Sequence, residues 1–410
     1  MSSTNADTDA DWKLIEAHLP VGWRELGDAM GLIRDRPAHM GTKVQDLGVA
    51  LRLVFHQAAT SASLRATTAR AAATGVVAMA PVSLHKWMKK LGPYLTKLLA
   101  LMVDAAAFAP QKWGGLDVIA GDATTVQRPA SKGTTARVHY ALRLADMTPR
   151  HIEVTDEHGG ETARRFRAQP GEVWLLDRCY ANPPGVAAIH DRKGHIIVRY
   201  NRGALPLYNK SGVRIDVMSL LRDTDARDDV RQERVVVHVG DARIAGRLCW
   251  LRLPAGKAEE ARQRARKENG AACDEETLFA AEFVAVFTTI LTELKAPQVL
   301  ELYRARWQVE LEFKRAKSIR ELDRLPNFLP ETIHSWICAK LLLQLISMRI
   351  ANATSPPCGP FPPGGRRFTL LQATPNTDGC DRGTDRRRTL VRRSPDLGRR
   401  TQRAVAAQSP

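Results

Sequence analysis

Apolar positions in the first quarter of the chain recur at helical spacing. Val44, Leu47, Leu51, Val54 and Phe55 follow one another in this way, and so do Leu84, Trp87, Met88, Leu91, Leu95 and Leu98. Residues 10–110 therefore read as helical, with Gly92-Pro93 marking a break or kink in the second stretch. Between the two stretches, 63–75 predicts a helix of small residues carrying Arg65 and Arg70, then a turn through Pro81 and Ser83. A short helix, a Gly-containing turn and a second helix bearing His85, Lys86, Lys89 and Lys90 suit a helix-turn-helix that meets DNA phosphates. Plain helical packing accounts for the same pattern equally well.

From Leu116 the period changes to that of strands. The run 116–121 is apolar and ends at Asp122, and 137–144 and 151–155 alternate as an antiparallel pair does. Residues 161–168 are helix-like, 172–176 (EVWLL) predict a buried strand ending at Asp177, and 195–200 (HIIVRY) predict another. A mixed sheet flanked by helices follows, an α/β arrangement with acidic residues at strand ends, where such folds place their sites. Residues 203–290 read as an insertion of mainly β character, with strands at 234–239, 243–253 and 283–288 and a charged helix at 258–267. One helix is expected from Pro297 to about Ile319, and an apolar helix at 333–350.

Composition narrows the partners. The formal charge is +17 over 410 residues, which favours a polyanion and makes nucleic acid the first candidate. Residues 360–410 hold eleven Arg and four Asp with no Lys, His or Glu, so 11 − 4 = +7 of the charge lies there and 17 − 7 = +10 in the rest. That Arg/Pro/Gly-rich tail, from about 353, reads either as a disordered basic extension or as a shifted reading frame, the complete loss of Lys and Glu favouring the second. The six cysteines stand far apart without a CxxC pair, which argues against a zinc cluster or a disulfide framework. With no signal-peptide pattern at the start and no run of about 18 uninterrupted apolar residues, a cytoplasmic protein without a membrane is expected.

Two features carry chemistry. GDATTV at Asp122 and LLDRCY at Asp177 each end an apolar strand in an aspartate. Adjacent strand ends can supply two hard oxygen ligands to divalent metals, although a strand-end Asp is also a common cap. The third carboxylate comes from YRARWQVELEFKRAK, where Tyr303, Arg306, Glu310 and Lys317 share one face of the expected helix. One acid, two cations and a phenol make a poor core face. They suit a metal ligand, Glu310, flanked by groups that neutralise phosphates, or else a solvated face with Arg306–Glu310 and Glu310–Lys314 ion pairs.

The spacing Tyr303-x2-Arg306-x3-Glu310-x6-Lys317 resembles the Tyr-Arg-Glu-Lys signature of DDE transposases of bacterial insertion sequences, in the insertion-sequence-four family. Asp122 and Asp177 resemble that family's two aspartate motifs, and the long gap before Glu310 resembles its β-rich insertion. The likeness spans roughly residues 40–350. It implies a ribonuclease-H-like catalytic core at 111–202 and 291–352, an insertion at 203–290 and a helical N-terminal DNA-binding domain at 1–110. It also implies that Asp122, Asp177 and Glu310 bind two Mg2+ (or Mn2+) ions per active site, for cleavage at transposon ends and strand transfer into target DNA. Tyr303, Arg306 and Lys317 would then position DNA, with Arg65, Arg70, Lys86, Lys89 and Lys90 as further contacts to double-stranded DNA. The implied assembly is a homodimer in a synaptic complex. Trp250 is a candidate to hold a flipped base, with a core position as the competing reading. Family members usually continue past this point with ordered helices, so the unusual tail sets a catalytically incompetent, DNA-binding inhibitor beside the active enzyme as an alternative.

Overall fold

The computed structural model describes residues 3–33, 44, 46–104, 115–129, 133–224, 229–270, 273–318, 321–323, 325 and 330–354. The tail beyond Thr354, with its two readings, lies outside the described residues.

Among the described residues eight strands form one sheet. They are β1 (Asp117–Val126), β2 (Ala136–Arg143), β3 (Thr148–Asp156), β4 (Glu172–Leu176), β5 (His195–Arg199), β6 (Arg231–Val239), β7 (Ala242–Arg252) and β8 (Phe283–Thr288), in the order β3-β2-β1-β4-β5-β8-β7-β6. The centre, β1, β4 and β5, is parallel, and every other neighbouring pair is antiparallel. Parallel strands are covered on both faces, which is why β4 is apolar after Glu172 and buried throughout. At the far edge β6 begins with four exposed residues, Arg231 to Arg234, and its charge discourages pairing with another sheet. The β-rich segment after β5 therefore extends the same sheet, with β8 lying antiparallel against β5. Close approach of β7 to β8 depends on Gly246, where an added Cβ would lie 2.4 Å from the Phe287 ring and 2.7 Å from the Thr288 carbonyl oxygen.

Helices cover both faces. On one, α10 (Ala296–Arg304) and α11 (Trp307–Ser318) bury Val299, Leu300, Leu302, Val309 and Phe313 over Val118, Ala120, Val173, Leu175 and Ile197. On the other, α6 (Pro183–His190), α7 (Val217–Arg222) and α9 (Glu275–Ala281) close over Ile119, Trp174, Leu176 and Ile196. The charged helix α8 (Ala255–Asn269) packs on α9. A third apolar cluster joins α2 (Trp23–Ala29), α3 (Leu47–Thr60), α4 (Leu64–Ala73), α5 (Pro81–Asp104) and α12 (Pro330–Thr354), with α1 (Ser3–Ala17) against it, to Val126, Val138 and Val154 of the sheet edge.

Two expected features differ, and a third, the apolar helix at 333–350, forms within α12. Gly92-Pro93 does not end α5, which runs through Pro93 for 24 residues. Ser335 of α12 donates to the Met88 carbonyl at 2.6 Å, and Thr96 donates to the Gly92 carbonyl at 3.1 Å. Residues 161–168 form only the 3-10 turn Ala163–Arg165, held at Thr162 and pinned by burial of Ala163 and Phe166. The segment 332–351 is long and apolar enough to cross a membrane by length and composition, yet 67% of it is buried, as in a core helix.

Candidate active site

The parallel pairing of β1 with β4 matches Asp117 to Glu172 and Ala120 to Leu175, an offset of 172 − 117 = 55 residues. Asp122 and Asp177 are separated by the same interval, 177 − 122 = 55, so the two aspartates lie level on neighbouring strands just past the last paired residues. Alternation along each strand turns them toward the face of Ala120 and Leu175, the face that α10 and α11 cover. Asp177 follows the end of β4 as expected, opening the 3-10 turn Arg178–Tyr180. Asp122 does not end its strand. The strand continues to Val126 because β2 pairs with it throughout, Asp122 facing Tyr140. Gly121 beside it faces the other way, and an added Cβ would lie 2.8 Å from Leu176 and 3.1 Å from Phe166.

The expected single helix from Pro297 to Ile319 is two helices. Hydrogen bonds from Ala305 to the Leu302 carbonyl, Arg306 to Tyr303, Gln308 to Ala305 and Val309 to Arg306 span three residues each, a tightening that separates α10 from α11. Tyr303 therefore lies buried in the last turn of α10, Arg306 in the link, and Glu310 and Lys317 on α11. The one-face geometry of a continuous helix is thus corrected, but the break itself brings Arg306 inward. Its guanidinium donates to Asp122 Oδ2 at 3.3 Å and to Glu310 Oε1, so it joins two of the three carboxylates. The Arg306 guanidinium also stands 6.0 Å from the Tyr303 ring centre. Lys317 is half-buried and makes no ion pair among the described residues.

The electrostatics follow from burial. Asp122, with 17% of its side chain exposed, is pushed up to about 6 by burial, against the pull of the Ala123 amide at 2.8 Å and Arg306, while the charges of Asp177 and Glu161 raise it further. Burial also raises the Tyr303 hydroxyl above its ordinary range. For Arg306 burial disfavours the cation, but Tyr303, Asp177 and Glu310 outweigh it and raise its pKa. Asp177 thus acts on Asp122, Tyr303 and Arg306 together. Among the described residues no three His, Cys, Asp or Glu side chains already stand as a metal-holding group.

Sequence reasoning missed Glu161. It sits in the loop after β3, 3.6 Å from Arg137, and its charge bears on Asp122, Cys179 and Tyr180. A lone acid after Gly159-Gly160 carries no periodic signal that could have singled it out. The break before Trp307 also exposes that indole, at 44%, beside the site.

Of the proposed N-terminal contacts, Arg65, Arg70, Lys86, Lys89 and Lys90 are all exposed. Lys90 nevertheless donates to the Leu32 carbonyl and lies 5.0 Å over the Trp87 ring, contacts within the helical layer. α4 and α5 stand either side of a turn at Gly75, whose φ is +70°, but Leu84, Met88, Leu91 and Leu95 of α5 are buried among its neighbours. Trp250 is a core residue, 5% exposed, with its indole N–H donating to Thr224 Oγ1 at 2.9 Å. Of the two readings of Trp250, that position is the core one and leaves no free face to hold a flipped base. Cys179, Cys249, Cys273 and Cys338 are free thiols.

Comparison with known proteins adds a family match. A model described as "Transposase DDE domain" matches residues 113–345, more than half of the chain. The chain is 29% identical over 309 residues to the putative transposase InsL of insertion sequence element IS186A from Escherichia coli, covering 73% of this chain and 84% of that protein. It is 29% identical over 310 residues to the transposase of insertion sequence element IS421, also from Escherichia coli, with the same shares covered. A transposase of element IS231F from Bacillus thuringiensis subsp. israelensis is 24% identical over 194 residues, 42% of this chain and 40% of that protein.

Proposed function

Because the chain belongs to the family of transposases with a DDE domain, we propose that it cuts DNA at the inverted-repeat ends of an insertion sequence and joins the freed 3′ end to target DNA. The observation that carries this reading is the common level of Asp122 and Asp177 on parallel strands, with Arg306 linking Asp122 to Glu310. The order β3-β2-β1-β4-β5, antiparallel then parallel, supports a ribonuclease-H-like core.

The residues fit divalent metal ions. Three carboxylates are hard oxygen donors, and a positive charge already lies between two of them in the form of Arg306. Asp122 is buried enough to gain from a strong counter-charge. Asp122, Asp177 and Glu310 would hold two Mg2+ (or Mn2+) ions, which when bound supply Lewis-acid activation of water and charge neutralisation at the scissile phosphate. Glu310 is the ligand that must turn, and its side chain, 46% exposed, has room to do so. Arg306 then becomes available to a DNA phosphate, to which its planar fork can donate twice. Lys317 neutralises the adjoining backbone, and Tyr303 walls the site from behind. Arg65, Arg70, Lys86 and Lys89 offer phosphate contacts from the helical layer, while Lys90 contributes charge only secondarily. The acting form is a homodimer that pairs two DNA ends in the bacterial cytoplasm.

The test uses duplexes bearing the element's own terminal repeats. With Mg2+ the purified protein is expected to nick them, and Asp122→Ala is expected to lower the cleavage rate by on the order of a thousandfold or more. DNA binding, read by gel shift, should change little. Undiminished cleavage by Asp122→Ala overturns the site.

A further inference from the structure

Away from the carboxylates, a cavity of about 230 Å³ opens between α1, α3, α4 and α12. Trp12, Ile15, Phe55 and Leu343 give it apolar walls, two of them aromatic. Its polar lining is Arg52 and His56 on α3, Thr67, Arg70 and Thr74 at α4, and Asp11 on α1. Arg52 is held at 2.8 Å by Asp9 of α1, and Asp11 of α1 stands at the exposed rim. Arg70 is exposed, and its guanidinium makes no ion pair among the described residues. The His56 imidazole is held below its ordinary range by burial and by the charges of Arg70 and Arg52.

A second observation points to a ligand. Thr67, fully buried in α4, lines the same cavity, and its Oγ1 has no hydrogen-bond partner. A buried hydroxyl without a partner costs about 1–3 kcal/mol, so such groups are ordinarily satisfied. Nothing in the packing of an isolated helical layer requires two arginines to flank an apolar, aromatic-walled cavity with an unsatisfied hydroxyl. A flat ring against the partly exposed Trp12, offering one polar edge to Thr67 and one anionic group to Arg70, would satisfy these features at once.

We propose that this cavity is a binding site for a nucleotide-sized ligand, a planar ring carrying one phosphate. The inference goes beyond the transposase reading and does not use the carboxylate site. Two sources share the chemistry: a free nucleoside monophosphate, and the 5′-phosphorylated nucleotide at a single-stranded DNA end. Occupancy would also pin α1, which supplies one wall, to α3 and α4.

Titration calorimetry on the full chain, with AMP, adenosine and inorganic phosphate as probes, tests it. AMP is expected to bind at least tenfold more tightly than either adenosine or phosphate, because ring and anion are both required. Arg70→Gln, at an exposed residue without an ion pair, should weaken AMP binding about tenfold with the fold intact by circular dichroism. The near-isosteric Thr67→Val should weaken it several-fold. Amide exchange in α1 should slow when AMP is bound. A 5′-phosphorylated single strand that displaces AMP identifies the DNA end as the source, and one that does not identifies the free nucleotide. No AMP binding at millimolar concentration, or binding indifferent to both substitutions, overturns the proposal. Asp122→Ala should leave AMP binding unchanged, so failure here is separable from failure of the carboxylate assignment.

Discussion

At the scale of single residues, the decisive contact is Arg306 between Asp122 and Glu310. The sequence allowed an i,i+4 pair between Arg306 and Glu310, and that pair forms. Its reach to Asp122, 184 positions away, depends on a helix break that no residue type announces. The level placement of Asp122 and Asp177 comes from the parallel register of β1 and β4, whose 55-residue offset equals the spacing of the two aspartates, and a register is not legible from either strand alone. The Arg306–Asp122 contact yields a quantitative test. Asp122 and Arg306 are largely buried, with 17% and 14% of their side chains exposed, so removing either alone leaves a charge without its partner. Arg306→Met should cost about 1–3 kcal/mol of stability, and Asp122→Asn should recover part of that loss in the double variant. A coupling energy of about 1 kcal/mol or more is expected from denaturant melts. Strict additivity would show that the ion pair does not hold the site together.

At the scale of elements, strands were read more sharply than helix ends. The expected 172–176 and 283–288 coincide with β4 and β8, because a continuous apolar run bounded by polar residues has few other solutions. The α10–α11 break was hidden because Leu302, Val309, Phe313 and Ala316 keep helical spacing across it, and neither Gly nor Pro intervenes. Tertiary packing decides it, through the turn-tightening bonds around Ala305 and Arg306. At Gly92-Pro93 no break forms, and α5 runs on past the proline. Nearby, Ser335 of α12 donates to the Met88 carbonyl, 247 positions distant in sequence. Ser335→Ala should therefore cost about 1–2 kcal/mol, a large effect for the loss of one oxygen. An added Cβ at Gly92 would stand 3.0 Å from the same hydroxyl, so the two helices meet through this contact. Equal stability of Ser335→Ala and the parent in urea would show that this hydroxyl does not hold α12 to α5.

At the scale of the whole molecule, the insertion, core strands and helical layer share one sheet and its covering, so charge trapped anywhere in that body is felt as global stability. His139 is the clearest case. It is fully buried on β2, its Nε2 lies 3.2 Å from Thr155 Oγ1, and its Nδ1 has no partner. Burial, then the charges of Arg165 and Arg137, lower it to about 4, with Glu153 pulling the other way. In the unfolded chain the same imidazole titrates near 6.5. Above that value it is neutral in both states and its contribution is whole. As pH falls below 6.5 the unfolded chain takes up a proton that the folded one refuses, so stability is lost progressively until the folded group titrates near 4. Between pH 7 and pH 5 this amounts to about 2 kcal/mol for a single histidine. His56 and His334, also lowered by burial, act with the same sign, so the isolating measurement is a difference. His139→Gln should flatten the dependence of unfolding free energy on pH in that window by about the stated amount while leaving it near its parent value at pH 8, apart from a constant packing offset. A slope unchanged by the substitution would mean that His139 already accepts its proton in the folded protein. The polar cluster of β2, β3 and Arg165 would then have to open to water near neutral pH.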